Sequence, residues 1–206
     1  MHLLKIVILG LLSYATAEIF MSGGFGMKAF TDSVNYGSNS GYGGESVADI
    51  RFSLGYMKIP TTDEASSSGF FFDLATDITP QSITVAEVTS GGTTTNFNID
   101  ANYTYLLRVG SLYKASKNFF PYIQGVGAYN YDTTLKITGG TNGSSSTDMS
   151  SIGVGVGILA FAGERGFYDF NYYYGVGDQK DGSVSSTTFQ VTPHQGVFMA
   201  SIGFVL

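Results

Sequence analysis

The chain has no cysteine among its 206 residues, which excludes a disulfide-stapled scaffold and any thiolate metal centre. It is short of charge: 13% of its residues are Asp, Glu, Lys or Arg, against about 25% in ordinary globular proteins. Basic residues are the scarcer kind, ten against sixteen acidic ones, so no basic face is available for nucleic acid. Histidine occurs twice, at His2 and His194. No stretch approaches the roughly 20 consecutive apolar residues that a membrane-crossing helix requires. What the chain does have is 28 glycines, 15% aromatic residues and 43% hydrophobic residues, enough apolar surface to exclude disorder. Few charges with many Tyr, Phe and Gly fit a protein whose outside faces lipid.

Residues Met1–Ala17 read as a secretory leader. Lys5 precedes the apolar run Ile6–Leu12, and Ala15-Thr-Ala17 is a small-residue exit before Glu18. The run is too short to cross a bilayer as a helix. The expected domain organisation is therefore a leader over 1–17 and one domain over 18–206.

The end of the chain sets the fold class. In Gly196–Leu206, the residues Phe198, Ala200, Ile202, Phe204 and Leu206 are apolar at every second position, up to the last residue. A period of two is that of an extended strand with one face fully buried. Soluble chain ends are seldom so apolar, because they sit at the surface and fray. Seven more segments alternate in the same way. Glu18–Phe30 sets Ile19, Met21, Phe25 and Met27 against Ser22 and Lys28, and Val47–Lys58 sets Ile50, Phe52, Leu54 and Tyr56 against Asp49, Arg51 and Ser53. Phe70–Ile78 opposes Phe72 and Leu74 to Asp73 and Asp77. A longer segment, Phe97–Val109, keeps Phe97, Ile99, Ala101, Tyr103, Tyr105, Leu107 and Val109 on one face and Asp100 and Arg108 on the other. Phe120–Asp132, Ser150–Ala162 and Phe167–Gly177 complete the set. Charges and small residues fall almost wholly on the face opposite the large apolar ones, with Phe120–Asp132 the least regular segment. A soluble barrel would hide its apolar face; here that face must meet an apolar solvent. The expectation is all-β: a transmembrane, antiparallel, up-and-down β-barrel of about eight strands, closed so that no edge is exposed to lipid.

The connections alternate in length. Thr31–Ser46, Thr79–Thr95, Thr133–Met149 and Asp178–Gln195 are long and rich in Gly, Ser and Thr, and read as four external loops. Ala115–Asn118 and Gly163–Gly166 are short, and Ile59–Ser68 is intermediate. Tyr56, Tyr113, Tyr129, Tyr131, Tyr168 and Tyr174 lie near segment ends, where interfacial aromatic girdles belong.

The closing segment resembles the last strand of bacterial outer-membrane barrels, although Leu206 stands where that strand usually ends in an aromatic residue. The run Phe119-Phe-Pro-Tyr-Ile-Gln-Gly-Val-Gly-Ala-Tyr129 resembles a segment of the OmpA-like or opacity-like "porin family" group, and the likeness extends over the region after the leader. The resemblance implies export to the outer membrane and contact with its lipid. It also implies recognition of Phe198, Ala200, Ile202, Phe204 and Leu206 by the barrel-assembly machinery. The barrel alone is expected, without the peptidoglycan-binding domain of full-length OmpA proteins, and as a monomer.

Catalytic motifs are weak. Lipid-modifying barrels pair a histidine with a serine or an acid, but His194 stands in Pro-His-Gln without a companion histidine, so no enzyme is expected. Gly153-Val-Gly-Val-Gly157 alternates within a strand rather than cradling phosphate at a strand-to-helix turn. Asp100–Thr104 matches an acidic glycosylation sequon, but Asn102 would face the lumen, and Asn142-Gly-Ser reads as a turn. Asp178 and Asp181 lack the spaced oxygens of a calcium loop. Neither metal nor cofactor is expected.

The inward charges are the candidate site: Lys28, Asp49, Arg51, Asp73, Asp77, Asp100 and Arg108. Hairpin symmetry puts Lys28 near Asp49, and Arg51 between Asp73 and Asp77, with Asp100 beside them. Charges in a narrow lumen must pair, since isolated burial costs several kcal/mol. Two readings follow. A structural plug leaves the external loops to carry a surface interaction with an unidentified ligand; a gated polar path makes a narrow, cation-preferring channel.

Overall fold

A computed structural model describes residues 17–36, 39–60, 68–90, 92–139, 142–184 and 187–206. Apart from Ala17, the expected leader lies outside these residues, as does most of the link after Ile59. The described residues form twelve strands: β1 (Glu18–Tyr36), β2 (Asn39–Lys58), β3 (Ser68–Ile78), β4 (Ile83–Ser90), β5 (Thr93–Asp100), β6 (Tyr103–Tyr113), β7 (Phe119–Thr138), β8 (Gly143–Ala162), β9 (Gly166–Gly177), β10 (Lys180–Val184), β11 (Thr187–Thr192) and β12 (His194–Val205). Eight of them, β1, β2, β3, β6, β7, β8, β9 and β12, make an antiparallel ring. β12 closes it against β1, from Phe20 opposite Val205 to Phe30 opposite Gln195.

Alternation is carried through to burial. Outward stand Phe25 at 74% exposure, Ile152 at 78% and Val154 at 73%, with Leu74, Phe198, Ile202, Phe204 and Leu206 also exposed. Inward stand Lys28, Asp49, Arg51, Asp73 and Asp77, all fully buried. Apolar side chains exposed around a whole belt need a hydrocarbon solvent. Tyr56, Tyr113 and Tyr168 stand at the short-turn end of that belt, and Tyr129, Tyr131 and Tyr174 at the other, all turned outward.

Two expectations are corrected. The four long links are not loops but mostly β-structure. β1 and β2 stay paired out to Tyr36 opposite Asn39, β7 and β8 out to Ile137 opposite Gly143, and β4–β5 and β10–β11 are hairpins. β11 continues along β1, and β5 along β7, so the wall rises past the belt. Threonine, β-branched, suits a pleated surface despite its polarity. Val34, Val47, Ile83, Val88, Leu135, Ile137 and Val191 recur on the inner side and pack into one apolar cluster.

The second correction concerns Phe97–Val109, which is not one strand. It breaks at Ala101–Asn102, where the Thr79 amide donates to the Asn102 carbonyl at 3.0 Å. The break reverses which parity faces inward. Phe97, Ile99 and Ala101 are buried, whereas Tyr103, Tyr105, Leu107 and Val109 face out.

The interior is filled in three levels. Phe30, Phe97, Met149 and Phe189 belong to the apolar cluster at the hairpin end; Phe20, Met57, Phe71, Leu112, Phe120, Leu159, Phe167 and Val205 form another at the short-turn end. The charged layer lies between, beside Ala75, Leu106, Val126, Tyr173, Val197 and Met199.

Candidate functional site: the buried polar layer

Adjacent strands place the site residues opposite one another. Arg51 of β2 faces Asp77 of β3, and Asp73 of β3 faces Arg108 of β6. Arg51 forks onto Asp77, with Nε donating to Oδ1 at 2.6 Å and Nη2 to Oδ2 at 2.7 Å. Its Nη1 donates to Asn171 Oδ1 at 3.3 Å, and the guanidinium lies 5.6 Å from the centre of the Tyr173 ring. Arg108 repeats the fork on Asp73, at 2.9 and 2.6 Å, and reaches Asp169 Oδ2 at 3.5 Å. Bidentate guanidinium–carboxylate contacts fix geometry as well as charge.

Lys28 joins the layer differently. Its Nζ lies 3.6 Å from Asp49 Oδ2 and donates to Thr79 Oγ1 at 3.2 Å and Thr104 Oγ1 at 3.0 Å. Thr79 in turn donates to Asp49 Oδ1 at 2.8 Å, and Thr104 donates to Asn130. Asp169 accepts from Tyr122 Oη at 2.6 Å and from Asn171 Nδ2 at 3.0 Å. Three cations, Lys28, Arg51 and Arg108, thus meet four carboxylates, Asp49, Asp73, Asp77 and Asp169.

Among the residues expected in the network, Lys28 and Asp49 come together, as do Arg51 with Asp77 and Asp73 with Arg108. Asp73 therefore does not flank Arg51; its partner stands on the next strand. Asp100 is outside the layer altogether. It precedes the break at Ala101, and its carboxylate pairs with Lys136 on the outer surface of the wall. Thr104 occupies the place opposite Asp77 that Asp100 was expected to share. Asp169, Tyr122 and Asn171 were missed. Asp169 and Asn171 do alternate inward on β9, but their partners stand on strands that ring closure alone brings near.

Between the polar layer and the short-turn apolar cluster there is a void of about 10 Å³, at the lower limit for one water. Among the described residues no group of three or more His, Asp or Glu is placed to hold a metal ion. His194 stacks on Tyr174, with Tyr174 Oη 3.1 Å from Nδ1.

No family model matches the chain, and no curated protein matches it in sequence. Solved structures do match in shape. The outer membrane protein OprG from Pseudomonas aeruginosa gives a TM-score of 0.51 at 12% identity, over 93% of this chain and 96% of that one. Neisserial surface protein A gives 0.50 at 16% identity, over 93% and 99%. At such identities the likeness is one of fold, and the fold is that of the small outer-membrane β-barrels. Fold alone leaves the role open.

Proposed function

We propose that this chain is an integral outer-membrane barrel that does not conduct and acts at the cell surface through its four long hairpins. One observation carries the reading: each charged side chain of the layer has an opposite charge on another strand within 3.6 Å, and the layer lies between two apolar clusters. An ion crossing the lumen would have to enter both clusters without water, where an unpaired charge is disfavoured by several kcal/mol. An eight-stranded ring is in any case just wide enough for its own side chains. Rigidity inside and polar hairpins outside suit a scaffold that presents a surface. The reading includes no catalytic step, lipid as the surrounding partner, a monomeric state, and recognition of the outward row Phe198, Ala200, Ile202, Phe204 and Leu206 during assembly.

The test is single-channel recording of the purified barrel in a planar bilayer. Silence at moderate voltage is expected. Steady conductance with cation preference would replace this reading by the second one, a narrow channel through a layer holding one more carboxylate than cations.

A further inference from the structure

The hairpins above the belt are organised as two sheets around one core. β10, β11, β1 and β2 make one four-stranded sheet, and β4, β5, β7 and β8 the other. Val34, Phe189 and Val191 of the first meet Ile99, Leu135 and Ile137 of the second in the shared apolar cluster. At this height β2, β4, β8 and β10 therefore have a ladder partner on one side only. A strand edge offers main-chain N–H and C=O groups to any chain able to pair with them. Proteins guard such edges with bulges, charges, brevity or a covering element.

Three of these four edges carry such guards. β4 has a bulge between Thr84 and Ala86, and its Thr84 amide donates to Glu45 Oε2 of β2 at 3.1 Å. β2 and β4 lie so close that a Cβ on Gly41 would stand 2.7 Å from the Glu87 carbonyl oxygen. β10 is five residues long and opens with Lys180. β8 is different. From Gly143 to Thr147 it pairs with β7 alone, because β9 ends at Gly177 opposite Ser151. Among the described residues no ladder joins it to β10. The segment is Gly-Ser-Ser-Ser-Thr, without proline, lysine or a bulge. Its inner-face residues Gly143, Ser145 and Thr147 are half-buried, whereas Leu135 and Ile137 beside them on β7 are at most 2% exposed. The interior is covered on the β7 side and open at this seam.

Edge and charge together define the partner. Gly143–Thr147 spans about 17 Å, the length of five residues of an added strand. Such a strand turns alternate side chains toward the apolar cluster and toward solvent, so it must itself alternate in hydropathy. Asp148, Asp178 and Asp181 stand exposed at the seam against Lys180, and Lys or Arg on the solvent row would complement them. A second copy of this chain fits poorly. Barrels in one membrane stand parallel, so two β8 edges would meet in the weaker parallel ladder and bring their own carboxylates together. We infer that the β8 edge, Gly143–Thr147, binds an extended cationic segment of another polypeptide by strand addition, with its apolar side chains turned toward the cluster. The inference rests on the proposed surface role and names the partner's chemistry. β8 is already ordered by β7 and the cluster, so binding entails little loss of backbone freedom on this side.

The test uses the full barrel, folded in phosphatidylcholine nanodiscs and titrated with three heptapeptides: one alternating Lys with Val, the same peptide N-methylated at every amide, and one alternating Glu with Val. The Lys–Val peptide should bind saturably. Its N-methylated form should bind about tenfold weaker or worse, since several main-chain hydrogen bonds are lost while the charges remain. The Glu–Val peptide should not bind. Asp148→Asn should weaken the Lys–Val peptide a few-fold, and Glu87→Gln at the closed seam should leave it unchanged. Of Ser145→Pro and Ser146→Pro, the one whose amide points away from β7 should abolish binding while the barrel keeps its heat-dependent gel shift. Equal affinity for the methylated and unmethylated peptides would overturn the inference even if neither proline variant folds. So would absence of binding, equal losses in Asp148→Asn and Glu87→Gln, or full binding by both folded proline variants. Dimers of the peptide-free barrel that the proline variants dissolve would give the edge to a second copy and overturn the assigned partner. Conductance recorded on the same preparations is a separate readout: a conducting barrel would refute the proposed function and leave the peptide's affinity as measured.

Discussion

Arg51 and Asp77 stand directly opposite each other on β2 and β3, both buried, and join through two parallel contacts of 2.6 and 2.7 Å. Removing one member of such a pair strands the other charge in the lumen, at a cost of about 3–5 kcal/mol. Arg51→Ala should therefore lower the urea midpoint of the barrel in lipid vesicles. Adding Asp77→Ala should restore part of the loss, because the stranded anion goes with it. Adding Asp73→Ala should restore little, since Asp73 forks onto Arg108 instead. Equal coupling in the two cycles would mean that one carboxylate does not own the arginine.

Glycines divide in the same way between inside and outside. A Cβ on Gly110 would lie 2.1 Å from the Phe71 ring, whereas one on Gly125 would meet nothing within 4 Å. Gly110→Val should destabilise by about 1–3 kcal/mol through overpacking. Gly125→Val should be neutral or stabilising, since valine suits a strand better than glycine. The pair can be ranked by urea midpoints in one vesicle preparation, and the reverse order would put the wrong face toward lipid.

Depth in the membrane can be read from lysine substitutions. Ile202 is outward within the belt, and Ile202→Lys should cost about 2–4 kcal/mol if the belt is in hydrocarbon. Ser183, exposed on β10 above the belt, should accept lysine at almost no loss. Folded yield in vesicles, scored by the heat-dependent shift in gel migration, decides it. Equal yields would place the bilayer elsewhere.

Outside the belt, Asp100 gives a pH dependence. Burial alone would raise its carboxyl, but Lys136 beside it outweighs that and holds it below the usual range. A carboxylate lowered on folding adds stability above its unfolded pKa of about 3.9, and that stability is lost as pH falls through the folded value. The parent should thus lose more stability than Asp100→Asn between pH 6 and roughly pH 3. The difference should be small, because Lys136 is about half exposed and its charge is screened. An identical pH profile for both proteins would remove Asp100 from the acid response.

Much of this architecture was legible in the chain. The alternations of Val47–Lys58, Phe167–Gly177 and Gly196–Leu206 each name a lipid face and a lumen face, because a strand's period of two permits only two choices for a side chain. Hairpin symmetry also brought Lys28 to Asp49. The long links were misread because Thr, Ser and Gly resemble loop composition. Their every-second apolar residues acquire meaning only when four hairpins enclose a common interior.

The sequence by itself determined that the chain is a lipid-facing barrel with charged residues inside, since periodicity and composition act locally and survive without knowledge of neighbours. Tertiary structure decided which charge meets which. Whether Asp73 joins Arg51 or Arg108 depends on the stagger between strands, and a one-strand difference changes the partner entirely. Whether Phe97 faces lipid or core depends on a break at Ala101–Asn102, which parity counting passes over. Asp169 reaches Arg108 because the ring closes and brings β9 within reach of β6 across the lumen. Closure is a property of all eight strands at once, so no stretch of the sequence carries it alone.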